Sequence, residues 1–258
     1  MIFYRKTIAN ILLFIEALLL ILLTITFSLK ITILNKNHMM KKLKKTDYYE
    51  KTYEEIKDTM KYITRKSGYN EYIIEDTFTI EDIKNDINKY VVSIYNNKEL
   101  ELNTEHLKEN ITNNLEEYIK TKNKVRTEEQ KKEYIDKIIS TYKNEITLSG
   151  QLDNLKLDRY IKMDNTLNVV FLIDLIIILI INKKIFNKRE YSTVLFISGI
   201  SLLLINILTR TINFKDIFIY NDAVSSVIKK SINSSLFIMV PFIIIYIIAG
   251  LSIRKIRK

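Results

Sequence analysis

Residues 10–29 read NILLFIEALLLILLTITFSL, a stretch with one ionisable side chain, Glu16. In a helix it is about 30 Å long at ~1.5 Å per residue, the thickness of a bilayer's hydrocarbon core. With its shoulders the apolar run covers 8–29. Three more runs match it, 166–182 (TLNVVFLIDLIIILIIN), 191–208 (YSTVLFISGISLLLINIL) and 235–253 (SLFIMVPFIIIYIIAGLSI). The competing reading makes them buried core helices of a soluble protein. That needs four helices that are apolar all round inside one small domain, so four transmembrane helices are expected instead. Arg5 and Lys6 precede the first run as in a signal peptide, but its apolar length exceeds a signal core. The sole cleavage candidate, Thr26-x-Ser28, is poor, so the run reads as an uncleaved anchor.

Charge follows the same division. The 258 residues carry 40 Lys+Arg and 30 Asp+Glu, a net +10. Residues 35–165 hold 25 of each sign, so that segment is neutral. The remainder holds 15 basic and 5 acidic residues and supplies the whole excess. Basic charge flanking apolar runs is a membrane signature and not the footprint of a nucleic-acid binder, so no nucleic-acid partner is expected. The lipid bilayer is the first partner, and a membrane-protein partner or a second copy of the chain is the next.

Four spans put both termini on one side. The ten Lys and Arg in the tail 1–7, the loop 183–190 and the tail 254–258 place them in the cytoplasm of a multi-pass cell-membrane protein. The lysines at 36, 41, 42, 44 and 45 argue the other way. They belong to a segment longer than ~60 residues, which translocates largely regardless of charge. Residues 35–165 then form an extracytoplasmic domain, and 209–234 a smaller extracytoplasmic loop. In that loop Val224, Val227, Ile228 and Ile232 at helical spacing, after an apolar patch at 217–219, predict a short amphipathic helix, lying at the interface and leading into the last span or packed against the outer domain.

The large domain is expected to be an all-α bundle. Tyr49, Tyr53, Ile56, Met60 and Ile63 make one stripe, closed by Gly68. Ile80, Ile83, Ile87, Val91 and Ile94 make a second behind Thr79 as N-cap. Leu107, Ile111, Leu115 and Tyr118 follow, and then Ile135, Ile138, Tyr142 and Ile146 behind the capping-box sequence Thr127–Gln130. Amphipathic helices must bury their stripes together, and a bundle does so. Segment 69–78 reads as loop or short strand. The first stripe starts soon after the first span, which leaves open a single long rod or a solvated stalk.

Chemistry is sparse. The absence of Cys removes thiol chemistry and Cys-based zinc sites, and four scattered Gly leave no phosphate-cradling loop. His38 and His106 lack any metal-ligand spacing and read as surface residues. No catalytic residue, metal site or cofactor is expected, and the chain does not read as an enzyme. What stands out is Glu16 in the first run and Asp174 in the second. A carboxylate at mid-membrane costs about 2.5–3.5 kcal/mol on insertion scales unless neutralised or paired. Counted from the run ends, Glu16, Asp174, Ser198 and Tyr246 all lie roughly 12 Å from one face, which predicts a hydrogen-bonded polar layer inside the span bundle. Ser198-Gly199 and Ala249-Gly250 offer surfaces for close helix approach, and Pro241 predicts a kink in the last span.

The order of anchor, large outer domain, span, short inner loop, span, outer loop and span resembles the permease subunits of ABC transporters of the cell-division and macrolide-export types, in topology alone. The eight-residue inner loop 183–190 and the seven residues before the first span depart from that pattern, so no residue role is carried across. A helical outer domain between two spans is also similar to bacterial chemoreceptors, although no signalling helix follows. The expected role is a non-enzymatic membrane-complex subunit or sensor whose outer domain binds a partner or ligand. The alternative is a transporter or channel component in which Glu16 and Asp174 handle protons or cations.

Overall fold

The computed structural model describes residues 2–96, 98–122, 126–147, 188–212 and 222–255, with eight helical positions between Thr166 and Ile180. The chain is all-α, with no strand among the described residues. It divides into two compact units, residues 1–39 with 162–258, and residues 40–161.

The first unit is built from α1 (Ile2–Ile31), the start of α2 (Lys36–Lys44), α7 (Lys188–Thr211) and α8 (Asp222–Lys255). Three stretches are long and apolar enough to cross a membrane: Asn10–Ile31, Glu190–Thr211 and Ser226–Ile253. Most of the expected second span, 166–182, lies outside the described residues. The patch at 217–219 does too. The amphipathic stretch before the last span is no separate helix, because α8 runs unbroken from Asp222 through Pro241.

The contacts fix the direction of each helix in this unit. Along α1 and into the turn that follows it, Thr24, Phe27 and Thr32 meet Tyr246, Phe242 and Ser235 of α8, so the two helices run antiparallel. Along α7 the residues Ser192, Gly199 and Asn206 meet Gly250, Tyr246–Ile247 and Leu236 of α8, again antiparallel. Helices α1 and α7 therefore point the same way. Ala17 and Leu20 pack on Val194 and Leu195, and Ile21 and Ile25 pack around Leu202, in agreement with that direction.

The packing of α7 on α8 depends on two glycines. A Cβ at Gly250 would lie 2.9 Å from the backbone N of Phe196 and 3.0 Å from the carbonyl O of Ser192. One at Gly199 would lie 2.7 Å from Cγ1 of Ile247 and 3.1 Å from its backbone N. Each glycine lets the facing backbone approach where a side chain would hold it off.

After α1 the chain turns. The amide of Leu34 donates to the carbonyl of Leu29 (2.9 Å), and Asn35 caps α2 through its side chain, which accepts from the amide of His38 (3.1 Å). A second turn follows α2, with Asp47 in the left-handed region (φ 51°). These two turns replace the single rod.

The second unit packs α3 (Tyr48–Lys66), α4 (Ile80–Asn96), α5 (Glu105–Lys122) and α6 (Glu128–Ile146) around Ile56, Met60, Ile83, Ile87, Ile111, Leu115, Ile138 and Ile146. Segment 69–78 is not a strand. It holds a 3₁₀ turn, Glu71–Ile74, whose Ile73 and Ile74 plug the core. Asn110 and Asn114 of α5, one helical turn apart, donate to the carbonyls of Thr77 and Ile73 and clamp it there.

Both expected caps form. Thr79 and Asp82 exchange bonds, the amide of Thr79 donating to Oδ2 of Asp82 (2.8 Å) and the amide of Asp82 to Oγ1 of Thr79 (3.2 Å). Thr127 and Gln130 do the same ahead of α6. Gly68 (φ 76°) ends α3, with the amides of Gly68 and Tyr69 bonding back to Arg65 and Thr64. That pairing is a Schellman motif, which L residues other than Gly enter only under strain.

Candidate functional site

In a membrane the informative side chains are the polar ones an apolar helix keeps from lipid. On α1 they sit at four-residue steps. Glu16, Thr24, Ser28 and Thr32 are all fully buried, with Leu20 filling the step between. Each four-residue step advances about 40° around a helix, so neighbouring members lie side by side and the seam winds slowly round α1. Thr24, Ser28 and Thr32 each donate to the carbonyl four residues back, at 2.8, 2.8 and 2.7 Å. That local bond satisfies the hydroxyl hydrogen and leaves oxygen lone pairs for a neighbour.

The neighbours are on α7 and α8. The hydroxyls of Thr24 and Tyr246 meet at 3.2 Å, and those of Thr32 and Ser235 meet in a short bond. Ser198 donates to the carbonyls of Val194 (2.9 Å) and Ala17 (3.3 Å), and Ser192 to that of Gly250 (2.6 Å). Asn206 donates to the carbonyl of Leu236 (2.8 Å) and accepts from Nε of Arg210 (2.9 Å). Ser231 reaches Sδ of Met39 at 3.9 Å. Glu16 lies within electrostatic range of Tyr191, and Tyr191 within range of Tyr246.

Three of the four residues expected to form a polar layer thus line this interface. Glu16 and Ser198 come together at one level, Ser198 bonding to the carbonyl of Ala17 next to Glu16. Tyr246 does not lie flat with them. Its hydroxyl is engaged at Thr24, about 12 Å further along α1 at ~1.5 Å per residue. Asp174 is helical and half-buried. Most of its surroundings lie outside the described residues, and with them its distance from the other three. Among the described residues these polar groups form a seam along the bundle. Thr24, Ser28, Thr32, Ser192 and Ser235 were missed as members, although the spacing 24-28-32 could have announced the first three.

No group of His, Asp and Glu able to hold a metal occurs among the described residues. His106 is exposed beside Asn110, and His38 sits near the cap of α2. Chemically, the seam can hold helices in register and can keep a carboxyl group out of lipid. Compared with family models, with curated proteins and with solved structures, the chain matches none.

Proposed function

We propose that this is a four-span protein of the cell membrane, with both termini cytoplasmic. Its helical domain, residues 40–161, is held outside as the recognition part of a membrane complex or sensor. The observation that carries the reading is the apolar outer face of the first unit. Among the described residues of 40–161 the interior is mainly Ile, Leu, Met and Tyr, with Thr52, Thr64, Thr77 and Asp86 among them, and the exposed large hydrophobics are Tyr62, Tyr72 and Ile80. Around α1, α7 and α8 the buried set includes Glu16, Thr24, Ser28, Ser192, Ser198 and Asn206, while Phe14, Leu18, Leu204, Leu208, Phe237 and Ile245 face outward. Phe14 and Phe237 are 69% and 72% exposed. In water such a surface is costly at about 25 cal/mol per Å² of apolar area, and in lipid that cost vanishes.

The direction of the helices supports the fourth span. Consecutive spans alternate in a membrane, yet α1 and α7 run the same way. The chain between them must cross back once, and the apolar run 166–182 is the stretch fit to do so. The polar seam then acts as the adhesive of the bundle, and the outer domain meets a partner or ligand without catalysing a reaction.

The complete burial of Glu16 beside Tyr191 favours a second reading, proton or cation handling by Glu16 and Asp174. Reconstitution into liposomes separates the two. On the first reading there is no flux, and Glu16→Gln with Asp174→Asn weakens association with a co-purifying membrane protein or with a second copy. Flux in the wild type that the same variants abolish would establish the second reading and sink the first.

A further inference from the structure

A cleft of about 230 Å³ opens in the second unit where α4, the segment before it, the first turn of α5 and α6 converge. Its floor is apolar and rigid. Phe78, Leu107 and Tyr142 are buried, and the Phe78 and Tyr142 rings meet edge to face at 5.8 Å. Its wall is rich in acceptors. Asp86 is only 7% exposed and stands at the boundary between floor and rim. One of its oxygens accepts from the Tyr142 hydroxyl (2.9 Å), and the other is met by the Lys89 ammonium (2.9 Å). Asp82 and Asn85 add further acceptors on the α4 side, and His106 stands across from them on α5.

The Lys89 contact indicates what the site can hold. It is a mobile ammonium on a flexible stem, its side chain 54% exposed, resting on a carboxylate that Tyr142 fixes in place. The ammonium is the exposed member of a pair whose carboxylate is nearly buried, so a cation that also covers the apolar floor can take its place. The second partner, Tyr142, is buried and does not move with the surface. Beside this carboxylate lie aromatic rings, which attract cations and cover an apolar body. The volume equals roughly eight waters at ~30 Å³ each, which suits a molecule of five to nine heavy atoms.

We propose that this cleft binds a small organic ammonium ion with an apolar body, its nitrogen on Asp86 and its hydrocarbon on Phe78, Leu107 and Tyr142. The proposal rests on residues 40–161 being a recognition domain and gives that domain a ligand class. Asp86 selects for positive charge, the floor selects for hydrocarbon, and Lys89 acts as a built-in competitor that sets the threshold concentration.

The test is isothermal titration of the full-length protein in detergent micelles with isopentylamine and phenethylamine, against isopentanol and isovalerate in matched salt. Saturable binding of the two amines alone is expected. Asp86→Asn keeps an acceptor for Tyr142 but removes the charge, and should weaken the amines about tenfold or more. Asn85→Trp, at an exposed position on the rim, should block them sterically, and Lys89→Met should tighten them. Helical circular dichroism equal to wild type certifies each variant as folded. No saturable amine binding, equal binding of isopentanol, or unchanged affinity in both Asp86→Asn and Asn85→Trp would overturn the proposal. Amine binding in a protein whose residue 98 faces the cytoplasm would leave the cleft standing and remove the outer-sensor reading. An outward residue 98 without amine binding would do the reverse.

Discussion

Gly250 illustrates how much can depend on one absent side chain. A Cβ there meets backbone atoms of Phe196 and Ser192, which cannot swing aside as the end of a side chain can. Gly250→Val should force α7 and α8 apart and cost about 1–3 kcal/mol, read as a lower thermal midpoint in detergent than for the wild type. A midpoint unchanged within error would mean that the two helices do not meet at this point. Tyr134 gives a pH-dependent counterpart in the other unit. Its ring is buried against Tyr69 (4.7 Å between centroids) and its hydroxyl bonds to Thr64 (2.8 Å). Burial pushes its pKa up to about 12, against a bond to Thr64 that pulls it slightly down. The folded protein therefore keeps a proton that the unfolded chain releases near pH 10. The associated stability is intact below about pH 10 and falls by about 2–3 kcal/mol as pH rises to about 12. Tyrosinate absorbance of the native protein should lag that of guanidine-denatured protein over this interval. Coincident titration curves would refute the burial. Burial also raises the Tyr142 hydroxyl, aided by the charge of Asp86 and by its hydrogen bond to it. Glu16 and Ser198 were legible from sequence because an acid or a hydroxyl among leucines is conspicuous. The role of Tyr142 was not, because among 16 tyrosines only the fold says which one meets a carboxylate.

At the scale of the element, sequence carried most of what the local chemistry determines. The capping signals at Thr79 and Thr127 and the stop at Gly68 are decided by three or four neighbouring residues, and they form as read. Thr127→Ala removes the acceptor for the Gln130 amide at an exposed helix start, so unfolding should become easier by about 1 kcal/mol without loss of the fold. Chemical denaturation with an unchanged slope and a lower midpoint is the expected record. The stripes were read correctly at their centres and less well at their flanks. In α3 the buried face is Tyr49, Thr52, Ile56, Met60 and Thr64, so it runs through two threonines in place of Tyr53 and Ile63. Hydrophobicity ranks those threonines low, yet Thr64 is fully buried because it meets the hydroxyl of Tyr134 and its own helix carbonyl. The 3₁₀ turn at Glu71–Ile74 was also out of reach, because it is held by Asn114, about 40 residues away. The continuity of α8 past the edge of the last apolar run was missed for a related reason. Composition marks where hydrocarbon contact ends, and a helix has no reason to end there.

For the whole molecule, the division into an apolar-faced unit and a water-faced unit followed from charge and hydropathy alone, while the relative direction of α1 and α7 required the contacts. Topology is open to direct measurement because the chain contains no Cys, so any introduced thiol is unique. Single Cys at Lys98 and at Lys229 should react with a membrane-impermeant maleimide on intact cells. Cys at Lys184 and at Lys258 should react only after permeabilisation. Reaction of the Lys98 and Lys258 positions from the same side would demand an odd number of crossings, contrary to the parallel course of α1 and α7.

That parallel course also has a consequence in time. The residues that shield Glu16, among them Tyr191 and Ser198, are made late, since 156 residues separate the end of α1 from the start of α7. At about 5–20 residues per second of synthesis, roughly ten to thirty seconds pass before they emerge from the ribosome. On the proposed topology, a newborn α1 spends that interval in the bilayer with its acid and without its eventual companions. On that topology, a cell depleted of an insertion holdase should degrade the nascent protein while sparing a Glu16→Leu version of it.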